Sequence, residues 1–295
     1  MSVRPMIQMN LIQKGDLLLI LFLVFLIPQK GTCQIPDTIN QLYGLKNSEG
    51  IYVEHFDPSN RNENRFTENN EVYKAGRVFT FDYSFYDKNK NQFFFRSSDN
   101  TGSPLAGWEF VPAEKKTSNT ITGIKMIIKT GLQGFERISK DYSQTIIQYK
   151  YLHDSGEAHF SEQTGVIENK KNVWMHPPRT MLFEILEINP FPFVLKDTTK
   201  VWEWKLTVGS MWGDSRWVKW VGSTENNMKY VAVGLVNLKT PLGKIKCRKV
   251  IAEGKTRVGT TKLISYFNET YGFVKLIYTN IDGSLLTINL KDMKE

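Results

Sequence analysis

The chain has 295 residues, of which 41% are hydrophobic and 23% are charged, and its formal net charge is +8. This composition is typical of a globular protein and excludes collagen, a coiled coil and a polytopic membrane protein. The basic residues are scattered singly or in pairs and form no run, so we predict no nucleic-acid partner.

Residues 1–33 have the pattern of a secretory signal peptide. Basic residues precede an unbroken apolar run at 17–27, Pro28 ends this run, and small residues occupy 31–33. As a helix this run would span about 16 Å, too short for a bilayer core of about 30 Å. We therefore predict that 1–33 is removed, that 34–295 forms a single β-rich domain, and that the protein is periplasmic or secreted.

The two cysteines have different predicted roles. Lipid modification of Cys33 is the alternative to its removal, but residues 30–32 lack the apolar residue that lipoprotein signals carry three positions before the cysteine. We expect membrane association only if Cys33 is lipidated. Cys247 shares one face of a predicted strand with Ile245, so we predict a buried, unreactive core thiol.

Alternation of apolar and polar residues predicts strands from about residue 72 onward. The clearest case is 79–85, where four aromatic residues share one face, and similar alternation occurs at 147–151, 202–208 and 286–290. Turn-forming residues separate these segments, and Asp282-Gly283 predicts a C-terminal hairpin. The spacing predicts an all-β, mainly antiparallel fold with a barrel or sandwich-like sheet structure.

One short helix is predicted near 178–188. Pro177 and Pro178 can begin it, and Asn189-Pro190 can end it. Its apolar stripe comprises Met181, Leu182, Ile185 and Leu186. We expect this stripe to cover one end of the sheet, with Glu184 and Glu187 on the solvated face. The Pro-rich segment 176–192 is also the place where the domain could divide into two sheets.

Tryptophan gives the strongest chemical signal, because five of these residues fall within 202–220. Two of them, Trp202 and Trp204, alternate with polar residues and are predicted to lie in the core. Trp212 is predicted in a turn, and Trp217 and Trp220 on opposite sides of a short strand. An exposed indole can stack on a sugar ring or line an apolar pocket. Simple packing of a large sheet is the alternative interpretation.

A second candidate group lies beside the two prolines. His176 and Arg179 have little conformational freedom there, so they could be preorganised as polar anchors for a ligand. Hydrogen bonding to nearby backbone is the alternative. We therefore predict that an apolar small molecule or a glycan binds at a site formed by five residues: His176, Arg179, Trp212, Trp217 and Trp220.

No catalytic or metal-binding motif is found, so we predict no cofactor and no metal site. The histidines lack the spacing of a metal pair, since His153 and His159 are six residues apart, and there is no Gly-x-Ser-x-Gly motif. We favour a non-enzymatic protein. The alternatives are a secreted polysaccharide hydrolase, with Glu168 or Asp214 at the mouth of a groove, and a structural or assembly partner without a small ligand.

The last third of the chain resembles a known family. The residues concerned are 240–247, with Thr-Pro-Leu-Gly before the cysteine-bearing strand, and then Phe267-Asn268 and 271–276. They resemble the TapB-like family of uncharacterised envelope proteins of Gram-negative bacteria. The resemblance implies an antiparallel β structure in the periplasm or outside the cell, and it supplies no catalytic residues.

Overall fold

A computed structural model describes residues 45–48, 50–54, 70–98, 107–131 and 144–295. The predicted signal peptide and Cys33 lie outside these residues. All described residues belong to one compact unit that spans Ile39–Glu295. Among them, the structure contains no helix with the length and apolar character needed to cross a membrane.

The described residues form sixteen strands, and the all-β prediction is confirmed. The strands are β1 (Leu45–Ser48), β2 (Ile51–Glu54), β3 (Val78–Tyr86), β4 (Gln92–Ser97), β5 (Trp108–Pro112), β6 (Ile121–Ile128), β7 (Thr145–His153), β8 (Ala158–Glu168), β9 (Asn172–Met175), β10 (Phe193–Leu195), β11 (Val201–Val208), β12 (Thr224–Thr240), β13 (Gly243–Thr256), β14 (Gly259–Asn268), β15 (Gly272–Thr279) and β16 (Leu285–Lys294). β1 and β2 pair with each other, and the other fourteen strands form a second sheet.

The fourteen-stranded sheet is continuous across the Pro-rich segment. Its order runs from β10 back through β9, β8, β7, β6 and β4 to β3, and then through β16, β15, β14, β13 and β12 to β11, with β5 beside β4. Every recorded strand pair is antiparallel, and β3 and β16 join the two halves. Aromatic side chains from the two ends of this strand order contact each other. The ring centres of Trp174 and Trp204 are 5.6 Å apart, and those of Phe193 and Trp202 are 5.7 Å apart.

Apolar alternation produces the core that the sequence predicts. In β3 the aromatic side chains of Phe79, Phe81, Tyr83 and Phe85 are all buried, and the residues between them are half-buried. Trp204 is likewise buried, and Trp202 packs against the core. The C-terminal hairpin is confirmed as well, because Gly283 has φ 83° and donates its N–H to the Asn280 carbonyl at 3.0 Å.

Six turns lie at one end of the sheet, and we call the four neighbouring ones that include the loop 209–223 the turn end. The register places the end of β3 beside the start of β16, since Tyr86 pairs with Leu285. It also pairs the end of β11 with the start of β12, at Val208 and Thr224. The four turns of the turn end are 87–91, 209–223, 257–258 and 280–284. Because consecutive antiparallel strands alternate direction, these four connections must share the same end.

The predicted helix is present, but it is a 3₁₀ helix over Met181–Ile188. Three residues per turn place Glu184 and Glu187 in one row with Met181, whose φ is 57°. The prediction that both glutamates lie on a solvated face is wrong. Glu187 is only 5% exposed and Glu184 is half-buried, because the other two rows of the helix are apolar and buried and the structure covers the helix on this side too.

Cys247 lies in the core, as predicted from its position beside Ile245. Burial raises the pKa of its thiol to about 11. At neutral pH the thiol is therefore protonated and shielded, which is the opposite of what a nucleophilic cysteine needs.

Candidate functional site

Two of the candidate residues, Arg179 and Trp212, meet at the turn end. The guanidinium carbon of Arg179 lies 5.9 Å from the centre of the Trp212 ring. The indole N–H of Trp217 donates to the Trp212 carbonyl at 3.2 Å. Trp220 is buried in a small cluster with Ile188 and Val208, against which Trp212 also packs. Trp212 and Trp220 thus pack in the same small cluster as Ile188, the last residue of the 3₁₀ helix.

The segment that carries these tryptophans is a loop held by one arginine. The short strand predicted for Trp217 and Trp220 is wrong, because 209–223 contains a single isolated bridge, between Asp214 and Val218. Arg216 makes bonds of 2.9 and 2.7 Å to the carboxylate of Asp214 and donates to the Trp108 carbonyl at 2.9 Å. These side-chain contacts replace the strand ladder and fix the loop against β5.

The guanidinium of Arg216 also stacks on aromatic rings. Its carbon lies 3.6 Å from the centre of the Trp108 ring and 5.6 Å from that of Trp217. Bonding to Arg216 holds the pKa of Asp214 below its usual value. The loop therefore keeps an ionised Asp214 and two indole rings in fixed positions beside the helix.

Glu162 on β8 connects the strand to the start of the helix. Its carboxylate accepts hydrogen bonds from the Arg179 backbone N–H at 2.9 Å, from the Tyr151 hydroxyl at 2.6 Å and from the Thr180 hydroxyl. Burial raises its pKa despite these three donors. Met181, which follows Thr180, has the left-handed φ noted above, and such backbone strain is often found at ligand sites.

His176 and Glu187 form a buried pair next to Arg179. The Nδ1 atom of His176 lies 2.8 Å from the Pro177 carbonyl, so it carries a proton, and Nε2 is then free to accept one. The Glu187 Oε1 atom lies 3.4 Å from Nε2 and makes no hydrogen bond to the described part of the chain. Burial lowers the pKa of His176 to about 4 and raises that of Glu187 to about 7.

These residues form what we call the carboxylate cluster: Glu162, Glu184, Glu187, His176 and Arg179. Burial raises the pKa of all three glutamates, and Arg179 opposes this shift at Glu162 and Glu187. The cluster offers hydrogen-bond donors and acceptors, and the indole of Trp212 lies directly against its arginine. This combination suits a ligand that carries hydroxyl groups on an otherwise flat, apolar ring.

The carboxylates proposed for a hydrolase are engaged elsewhere. The expectation that Glu168 lies at the mouth of a groove is wrong, since it is 3% exposed and accepts bonds from the backbone N–H groups of Val72 and Tyr73. Asp214 is bound by Arg216 within the loop. Glu168 therefore has a structural role, and Asp214 positions the loop.

His153 and His159 are closer than their spacing suggested. They lie on β7 and β8, and their ring centres are 4.6 Å apart because the strands pair across a short turn. Within the described ranges no group of three or more His, Cys, Asp or Glu side chains could hold a metal ion. The pair is thus a ring contact between neighbouring strands.

Sequence reasoning missed two residues that build this site, Glu162 and Glu187. Glu162 occurs in phase with Phe160 on the inward side of β8, and a carboxylate at such a position is a usable signal. Glu187 gave no signal under the assumption of an α-helix, because that period puts it on the side opposite the apolar stripe.

No family model and no curated protein matches the chain. Solved structures similar to it include a protein of Parabacteroides distasonis ATCC 8503, provisionally described as a lipoprotein, with 10% identity, 76% of this chain and 97% of that chain covered, and a TM-score of 0.42. A protein of Bacteroides fragilis NCTC 9343 with a YmcC-like fold, provisionally described as exported, has 11% identity. The match covers 76% of this chain and 98% of that chain, with a TM-score of 0.37. The hypothetical lipoprotein YmcC of Escherichia coli has 10% identity, coverage of 72% and 84%, and a TM-score of 0.32. Likenesses at this level support no statement about function, and the resemblance to the TapB-like family stays a prediction.

Proposed function

We propose that the chain is an exported, non-enzymatic β protein that binds a glycan at the carboxylate cluster. The observation that carries this proposal is the contact of Arg179 with the Trp212 ring, beside a buried Glu187 oxygen that has no hydrogen-bond partner in the described part of the chain. A buried polar atom without a partner costs free energy, and a ligand hydroxyl would supply the missing bond.

A glycan fits this cluster better than the apolar molecule that was the other expectation. The Trp212 ring lies beside the Arg179 guanidinium, which in turn acts electrostatically on the carboxyl of Glu187. An apolar ligand would leave these polar groups desolvated and unpaired. A sugar ring can stack on the indole and also bond to both kinds of charged group, so it satisfies the whole cluster.

Export rests on the pattern of the first 33 residues. Protein recovered after export is expected to begin at Gln34, and its intact mass measured by native mass spectrometry checks this. The same spectrum reports any sugar-sized adduct that stays bound. A mass that includes residues 1–33, or a diacylglycerol on Cys33, would contradict removal of the signal.

Glycan binding is expected to depend on Trp212 and Arg179. We would titrate cello-, malto- and chito-oligosaccharides and envelope polysaccharide into the protein and follow indole fluorescence and heat. Trp212→Ala and Arg179→Ala should each weaken the affinity for the bound glycan by about tenfold or more, since about 1.4 kcal/mol of contact is lost. The cause is loss of the stacking face in one variant and of a donor in the other.

Matched controls lie at the opposite end of the sheet. Tyr271→Ala removes a half-buried aromatic ring and Arg248→Ala removes a guanidinium, and both should bind the glycan as the wild type does. Equal loss in the controls, or no binding of any glycan by the wild type, would favour an assembly partner without a small ligand. Release of reducing ends that Glu187→Gln abolishes would instead favour the hydrolase, with Glu187 as the general acid.

A further inference from the structure

The turn end carries the two most exposed large apolar side chains of the described residues. Val221 is 88% exposed and Met211 is 81% exposed. A third apolar residue of the same end, Leu285, is 42% exposed. A single exposed apolar side chain is ordinary on a protein surface, but several at the same end of the sheet form a candidate contact surface.

Met211 and Val221 lie on the two arms of one loop. Both belong to the loop 209–223, and each is three residues from the same rung, where Val208 pairs with Thr224. Behind them Trp212 and Trp220 pack on the small cluster that closes this end. Arg216 fixes this loop to β5 through the Trp108 carbonyl, so both exposed side chains belong to one anchored loop.

The charges of the turn end are unbalanced toward positive. Four exposed cations stand on its turns and make no ion pair with a described carboxylate: Lys88, Lys90, Lys219 and Arg257. The three carboxylates of these turns are occupied within the chain. Asp87 accepts from backbone N–H groups, Asp214 is bound by Arg216, and Asp282 accepts from Ser284.

Arg257 links the turn 257–258 to the loop 209–223, because its guanidinium donates a hydrogen bond to the Val221 carbonyl. The cation is therefore fixed beside one of the two exposed apolar side chains. Apolar side chains flanked by cations, with tryptophans behind them, are the combination that partitions into the interface of a bilayer with anionic lipids.

We propose that the turn end docks without covalent attachment on the surface of an anionic lipid bilayer. Met211 and Val221 enter the interface, and the four cations face the lipid headgroups. This docking goes beyond the proposed glycan binding and does not depend on it. It also does not depend on lipidation of Cys33, and it presents the carboxylate cluster to the membrane.

The test measures binding to vesicles by flotation, with exported protein in a Cys33→Ser background so that no acyl chain can be attached. Vesicles of phosphatidylcholine with about one third phosphatidylglycerol should bind the protein, and pure phosphatidylcholine much less. The double variant Met211→Asp, Val221→Asp should lower the partition coefficient by about tenfold or more. Lys219→Glu with Arg257→Glu should remove most of the dependence on phosphatidylglycerol.

A matched control is available on β12, where Val233 and Leu235 are 52% and 61% exposed at a distance from the turn end. The double variant Val233→Asp, Leu235→Asp should bind vesicles as the wild type does. Lipids brominated on the acyl chain should quench the indole fluorescence of the wild type and of this control, but not of the Met211 and Val221 variant. Thermal melts confirm that each variant is folded.

Three results would overturn the proposal. The first is a wild type that does not bind the anionic vesicles. The second is unchanged binding by the Met211 and Val221 variant, and the third is equal loss in the β12 control. Glycan affinity measured on the same variants separates this outcome from failure of the proposed function, since the docking variants change no residue of the carboxylate cluster.

Discussion

Glu168→Ala is expected to lower the free energy of unfolding by about 3–5 kcal/mol, which is the largest effect of any single substitution considered for this chain. The carboxylate of Glu168 accepts bonds from the backbone N–H of Val72 at 3.0 and 3.1 Å and from that of Tyr73 at 2.8 Å. The ammonium of Lys196 lies 3.6 Å away and is itself mostly buried. Alanine would leave two buried donors and one cation without their acceptor.

Urea unfolding at constant pH measures this effect as a shift of the midpoint with an unchanged slope. Glu225→Ala is the matched control, because Glu225 is exposed and its ion pair with Lys205 is at the surface. We expect the control to change stability far less than Glu168→Ala does. A Glu168→Ala protein as stable as the control would show that the 72–73 segment does not depend on this carboxylate.

Local periodicity is sufficient to predict several of the strands, and the reason is visible in β3. Successive side chains of a strand point to opposite faces of the sheet, and in a half-buried antiparallel sheet one face is the core. Phe79 and Phe85 can therefore be assigned to the core without knowledge of the residues that contact them. The Asp282-Gly283 turn is equally local, because Gly283 takes its positive φ whatever lies beyond the hairpin. These features need only a few neighbouring residues.

The site depends on contacts between distant segments, and periodicity does not report them. Arg179 and Trp212 were each recognisable as candidates, but their contact exists only because the loop 209–223 folds over the helix. That loop is held through Trp108, which is more than one hundred residues away in the chain. No local pattern marks Arg216 as the residue that makes this connection.

The helix shows a different reason for error. An α-helical period of 3.6 separates Glu184 and Glu187 from the apolar stripe and therefore predicts that both face solvent. The chain instead winds at three residues per turn after the left-handed Met181, and both glutamates then interact electrostatically with Glu162 of β8. A prediction of burial that depends on the helical period fails when the type of helix differs.

Glu187→Gln is expected to make the protein more stable at alkaline pH and to flatten its pH dependence. The folded state keeps the proton of Glu187 up to a pH of about 7, because burial raises its pKa, whereas the unfolded chain loses it near 4.5. The folded state therefore binds more protons between these values, and stability falls as the pH rises through them. The loss amounts to about 3 kcal/mol at pH 8.

Other groups of the site act on the same curve. Burial raises the pKa of Glu162 and Glu184 in the same direction, so they add to the fall of stability with rising pH. His176 opposes them, because its pKa is lowered to about 4 and stability is lost as the pH falls from 6.5 toward that value. With three carboxyls against one imidazole, we expect the wild type to be more stable at pH 5 than at pH 8.

Thermal or urea unfolding of both proteins at pH 5 and pH 8 measures the difference. Glutamine keeps the shape of the side chain, and its amide can donate to the Nε2 atom of His176 at either pH. Glu187→Gln should therefore match the wild type at pH 5 and exceed it at pH 8. Glu203→Gln, an exposed change of the same charge on β11, should follow the wild type throughout. A Glu187→Gln curve parallel to the wild type would mean that Glu187 is already ionised at pH 5, and that the missing hydrogen bond of its Oε1 atom is supplied by solvent.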